Sequence, residues 1–191
     1  MGPVSMERSG AGRAIWMALI VVAGAGLSLF YACATPFAAL ATLAALKTDR
    51  RDTALVVGLV WLANQVIGYG FLHYPHDLVS IVWGLAIGVA AGTALLAAIA
   101  LAPRRPGPFG VSLPFVGAFT AYEFVLYLAS FALPTEDGAF ALSVVKQIFV
   151  VNAVVLVALV LLHWLATAVG LLTTHHPDDD QNHLGSALPA R

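Results

Sequence analysis

Apolar residues run almost unbroken from Ala14 to Leu172, and a few polar breaks divide the run. The breaks fall at Cys33-Ala34-Thr35-Pro36, Lys47–Asp52, His73–Asp77, Pro103–Pro108 and Pro134–Ala139. Between them lie Ala14–Tyr31, Phe37–Leu46, Thr53–Leu72, Leu78–Ala102, Phe109–Leu133 and Phe140–Leu172. A helix crosses the hydrocarbon core with about 20 apolar residues. Five runs meet that length; the last is long enough to tilt or to project beyond the bilayer. Phe37–Leu46 is short. It reads either as a partial span or as the second limb of one kinked helix over 14–46, with Pro36 suited to a first helical turn.

Basic residues give the expected sidedness, because lysine and arginine favour cytoplasmic loops. Lys47, Arg50 and Arg51 share one loop, and Arg104 and Arg105 another, whereas the loops at 73–77 and 134–139 have neither residue type. If the short second helix crosses, there are six spans with both termini inside, and Arg8 and Arg13 agree. The expected fold is therefore an all-α integral membrane bundle of six helices with short loops. Residues 1–13 form a cytoplasmic N-terminal segment, 14–172 the bundle, and 173–191 a polar, disordered cytoplasmic tail. Arg8, Arg13 and the Ala32–Ala34 triplet also resemble a cleavable signal, but the apolar run is long for one and more apolar chain follows at once, which favours a retained helix.

Composition agrees. Of 191 residues, 60% are apolar and only 10% charged, against about 25% charged in a soluble domain. A net charge of −1 and the lack of a basic stripe give no sign of a nucleic-acid partner. One cysteine, Cys33, allows neither an internal disulfide nor a multi-cysteine metal centre. No glycine-rich phosphate loop, paired carboxylates or Ser/His/Asp set emerges, so the sequence carries no enzyme signal.

Polar residues inside the spans gather toward the outer half. Asn64 and Gln65 fall about 12 Å below the outer end of the third span, at about 1.5 Å per residue. Tyr122, Glu123, Tyr127 and Ser130 occupy the outer half or middle of the fifth span. Lys146, Gln147 and Asn152 lie in the outer half of the sixth, and Ser80 and Trp83 begin the fourth; His163 is the main exception. Trp61, Gln65, Gly68, Tyr69 and Leu72 share one helical face, as do Glu123, Tyr127 and Ser130. Such groups avoid lipid and face a bundle interior or a wet cavity. One reading is helix-to-helix glue; the other, favoured for the set as a whole, is an outward-opening cavity in which Glu123 and Lys146 pair. Tyr74 and Trp83 also suit an interfacial aromatic belt. Gly84, Gly88 and Gly92 make a smooth strip on the fourth span.

Metal-ligating types are sparse. His73 and His76 flank Tyr74-Pro75, a loose template for a metal, and Cys33 is a soft donor near the outer end of the first span. His175, His176 and His183, with Asp178–Asp180, offer a divalent site or simply a solvated tail.

Short-looped spans with both ends inside and an outward polar pocket resemble the substrate-binding S components of energy-coupling factor vitamin transporters. Trp61–Asp77 further resembles the solitary, BtuM-like S components for cobalamin. The resemblance implies a bacterial inner-membrane uptake protein with no cofactor of its own and cobalamin or a related corrinoid as bound substrate. It implies Cys33 or His73 as axial cobalt ligand, and a coupling ATPase module docking at the Ala-x-x-x-Ala pair Ala14 and Ala18. It also allows reductive removal of the cobalamin upper ligand, which needs a suitably placed cysteine. The expected ligand wall combines Trp61, Tyr69, Tyr74, Trp83, Tyr122 and Tyr127 with Asn64, Gln65, Gln147, Glu123, Lys146 and His73. A cobalt or other metal-ion permease using His73, His76 and the tail is one rival; a membrane scaffold subunit without its own ligand is another.

Overall fold

The computed structural model describes residues 3–31, 35–48, 50–102 and 110–168. Cys33, the Arg104–Arg105 loop and the histidine-rich tail lie outside the described residues. The described chain is all-helical: α1 (Pro3–Tyr31), α2 (Phe37–Lys47), α3 (Arg50–Gly70), α4 (Leu78–Leu101), α5 (Ser112–Ala129) and α6 (Leu142–Ala168). Helices α3 to α6 are long and apolar enough to cross a membrane, while Ala14–Leu27 within α1 and Phe37–Lys47 are shorter apolar stretches. Large apolar side chains such as Leu62, Val89, Phe124, Val157 and Trp164 stand exposed along these helices. Aliphatic surface of that extent belongs against lipid. This is a multi-pass membrane protein.

The short helix α2 is the hub. Every residue from Phe37 to Ala44 is buried, and α2 packs against α3, α4, α5 and α6. Its sequence explains the position. Ala38, Ala39, Ala41 and Ala44 combine strong helix propensity with minimal bulk, so four neighbours approach closely. Eleven residues rise only about 16 Å, half of a hydrocarbon core. An apolar helix of that length is a buried core element rather than a free-standing span, and the surrounding protein screens it from lipid.

Threonines fasten its far end. Thr48 Oγ1 donates to Ala44 O at 2.6 Å and meets Thr53 Oγ1 at 2.8 Å, while Thr53 Oγ1 also reaches Ala44 O at 3.2 Å. These bonds join the last turn of α2 to the first turn of α3. Helix α1 lies along α3, and Gly24 makes the closest approach: a Cβ there would stand 2.7 Å from a methyl of Val60. Only glycine fits.

At the same end, Trp16 of α1 meets His163 of α6 edge-on, with ring centroids 4.8 Å apart. Trp16 Nε1 and His163 Nδ1 are both buried without a hydrogen bond among the described residues. The contact therefore needs a ring, not an imidazole. His163→Phe is expected to leave the melting temperature in detergent unchanged or raised, since it keeps a ring contact worth about 0.5–1.5 kcal/mol and removes an unsatisfied atom. His163→Ala is expected to lower it. A clear loss in the phenylalanine variant would mean that the imidazole nitrogens matter.

Candidate functional site

Three polar regions stand out, and they sit in different seams. In the first, between α3 and α4, Trp61, Gln65 and Tyr69 recur every four residues and so lie on one face of α3. That face meets the glycine strip of α4. Trp61 Nε1 donates to Gly84 O at 2.9 Å, its ring covers Gly88, and Gln65 Oε1 sits against Gly84. Tyr69 OH lies 3.3 Å from Ser80 Oγ. These side chains fill the space the glycines leave. A Cβ on Gly88 would stand 2.8 Å from the indole of Trp61. Gly88→Val is therefore expected to destabilise the protein by about 1–3 kcal/mol, an overpacking penalty, read as a drop in melting temperature; Gly92→Val, which meets nothing within 4 Å, serves as the control.

The second region is the start of α2. Pro36 holds the N-cap position and offers no side-chain acceptor. Phe37 N donates to Thr35 O at 2.7 Å. Ala39 N donates to Asn152 Oδ1 of α6 at 3.3 Å, and Asn152 Nδ2 donates to Ile148 O at 3.0 Å. Beside it, Asn64 Nδ2 donates to Thr35 Oγ1 at 2.9 Å and Gln65 Nε2 donates to Asn64 Oδ1 at 3.1 Å. Thr35, Asn64 and Asn152 are all buried. Asn152 of α6 thus supplies an acceptor that the proline cannot, as a buried helix start requires, while Asn64 of α3 holds the Thr35 side chain beside it.

The third region is the seam between α5 and α6. Phe115 and Phe119 of α5 stack on Phe149 of α6, with centroids 5.3 and 5.0 Å apart. Two turns beyond Phe119, Tyr127 meets Phe131 and Phe140 at 5.0 and 5.5 Å. Glu123 is one turn from each tier. It is half-buried, and its Oε1 is buried without a hydrogen-bond partner among the described residues. The ion pair expected with Lys146 does not form among the described residues. Depth alone suggested that pair; rotation about the helix prevents it. Val145 is the residue packed toward the core, and Lys146, about 100° further round α6, is exposed, as is Gln147. Tyr122 instead turns inward, buried and 5.9 Å from the ring of Phe37.

The loop after α3 is folded back on its own helix. His73 takes a left-handed backbone, φ 55°, and Tyr74 N then donates to Gly68 O at 3.0 Å. The Tyr74 ring lies on Gly68, where a Cβ would come within 2.6 Å of it. His73 and His76 are exposed, and the His76 ring lies 5.4 Å from that of Tyr69. Asp77 caps α4, accepting from Ser80 N at 2.7 Å. Trp83 Nε1 donates to Pro134 O at 3.0 Å and so ties α4 to the loop before α6. Among the described residues no three His, Cys, Asp or Glu side chains gather as a metal site.

The fourteen-residue expectation therefore divides. Trp61, Asn64, Gln65 and Tyr69 pack in and beside the α3–α4 seam; Glu123 and Tyr127 follow Phe119 along one face of α5, and Lys146 and Gln147 are exposed on α6. His73, His76 and Tyr74 belong to the loop after α3, Trp83 to the first turns of α4, Tyr122 to the core, and Cys33 lies outside the described residues. Thr35 was not a candidate, and the role of Asn152 was not anticipated. One signal pointed to both: a proline at a helix start calls for an acceptor from elsewhere. Compared with known protein families, curated proteins and solved structures, the chain has no match.

Proposed function

We propose that this chain is a bacterial inner-membrane uptake protein that captures an amide-bearing vitamin, with cobalamin or a related corrinoid the substrate to test first. In this reading six helices cross or enter the bilayer, the basic end bearing Lys47 and Arg51 faces the cytoplasm, and solute enters from the opposite end. The supporting observation is Glu123. A buried carboxylate oxygen without a hydrogen bond among the described residues, one turn along α5 from Phe119 and from Tyr127, costs free energy. A ligand that donates amide N–H groups there recovers it, and the flanking rings suit an apolar macrocycle. The capture site then lies in the α5–α6 seam, with Tyr127 and Phe140 at its mouth and Lys146 and Gln147 on the rim. Helix α6 packs chiefly on α2 among the described residues, which leaves that seam free to widen around a bulky solute. Ala14 and Ala18 are exposed on α1, consistent with a docking face for a coupling ATPase module.

The test is saturable binding of cyanocobalamin to the purified protein in detergent, followed by visible absorbance. Binding is expected, and Lys47→Ala, at the opposite end, is expected to retain it. Absence of saturable corrinoid binding, or uptake of free cobalt ion alone, overturns the reading.

A further inference from the structure

A groove of about 400 Å3 runs between α3 and α4, lined by Val57, Gly58, Trp61, Val89, Gly92 and neighbouring apolar residues. It lies apart from the α5–α6 seam and plays no part in the capture proposed there. Gly58 and Gly92 are its open floor, since a Cβ on either would meet nothing within 4 Å. Leu85 and Val89 on its rim are exposed, so the groove opens toward lipid.

We infer that this groove holds an acyl chain of an anionic phospholipid whose headgroup is received by Arg51. Charge placement selects this occupant. Arg51, Ala54, Gly58 and Trp61 follow i, i+3, i+7, i+10 and share a face of α3, so the exposed Arg51 stands at the groove's basic mouth. An apolar slot ending at arginine matches a lipid with an anionic head; basic sites between spans take such heads. A further transmembrane helix is a poorer fit. Close helix contact uses a continuous small-residue strip, but Gly84 and Gly88 are already occupied by Gln65 and Trp61.

Trp61 is the reporter. Trp83 and Trp164 are replaced by phenylalanine, leaving Trp61 and the buried Trp16. This protein is reconstituted in phosphatidylcholine vesicles containing a minor fraction of either phosphatidylglycerol or phosphatidylcholine brominated in the acyl chain. Brominated phosphatidylglycerol is expected to quench more strongly, by roughly twofold. Arg51→Gln is expected to erase that preference while leaving contact quenching, and Gly92→Leu, which fills open space, to reduce quenching by both lipids. An unchanged melting temperature verifies that each variant is folded. Equal quenching by the two lipids in the parent protein overturns the inference, as does a preference that survives Arg51→Gln. Efficient crosslinking through Gly92→Cys together with no lipid quenching also overturns it, in favour of a second copy of the chain.

Discussion

Replacing Asn152 with leucine is expected to destabilise the protein by about 2–4 kcal/mol, the combined effect of losing a helix cap and leaving a main-chain donor unsatisfied. Leucine branches at Cγ as asparagine does, so the outline of the side chain is kept, although its two methyl groups are bulkier than the amide. What changes is Ala39 N–H. It donates to Asn152 Oδ1 in the first turn of a helix whose N-cap is proline. Asn152 is 2% exposed, and water has little access to replace it. Interhelical polar contacts in membranes average only about 0.6 kcal/mol, because both partners usually find substitutes. A peptide N–H at a buried helix start has fewer options. The measurement is thermal unfolding in mild detergent, with Val154→Ala on the exposed side of α6 as control. If the two variants melt alike, the cross-helix cap contributes nothing and α2 is held by apolar packing alone.

Glu123→Leu is expected to act in the opposite direction on stability and to abolish most ligand binding. Removing a buried carboxylate oxygen that lacks a partner relieves a desolvation penalty of about 1–3 kcal/mol. The site is half-buried, so the low end of that range applies. Corrinoid affinity should fall roughly tenfold or more, since each charge-assisted hydrogen bond lost contributes about 1.5–3 kcal/mol. Titration with cyanocobalamin and a melting curve on the same preparation separate the two effects. A variant that melts higher and still binds as the parent shows that Glu123 is not in the capture site. A variant that melts lower shows that the carboxylate is structural.

Helix positions were legible because polar breaks bound the apolar runs. Thr53–Leu72 against Arg50–Gly70, or Phe140–Leu172 against a described α6 of Leu142–Ala168, differ by a turn or less. The start of α1 was not legible: it reaches back to Pro3 through polar residues that hydropathy ignores. The length of α2 was correct in sequence, but its place at the centre depends on what four other helices do. The face Trp61-Gln65-Tyr69 and the strip Gly84-Gly88-Gly92 were each visible; that Gly84 and Gly88 receive Gln65 and Trp61 while Gly92 stays open was not. Periodicity tells which residues share a face but not which neighbour that face meets. Lys146 shows the same limit, with depth recoverable and rotation not. The Asn152 cap joins residues 113 apart, beyond the reach of any local pattern.

Synthesis order gives the α2 clamp a further consequence. The ribosome delivers α2 well before α6, so the segment that needs Asn152 exists long before Asn152 does. A stretch rising about 16 Å cannot lodge across the bilayer unaided, so its settled seat is taken only once α6 has been inserted. Chains arrested before α6 present this alanine-rich stub without Asn152 and without one of its four enclosing helices.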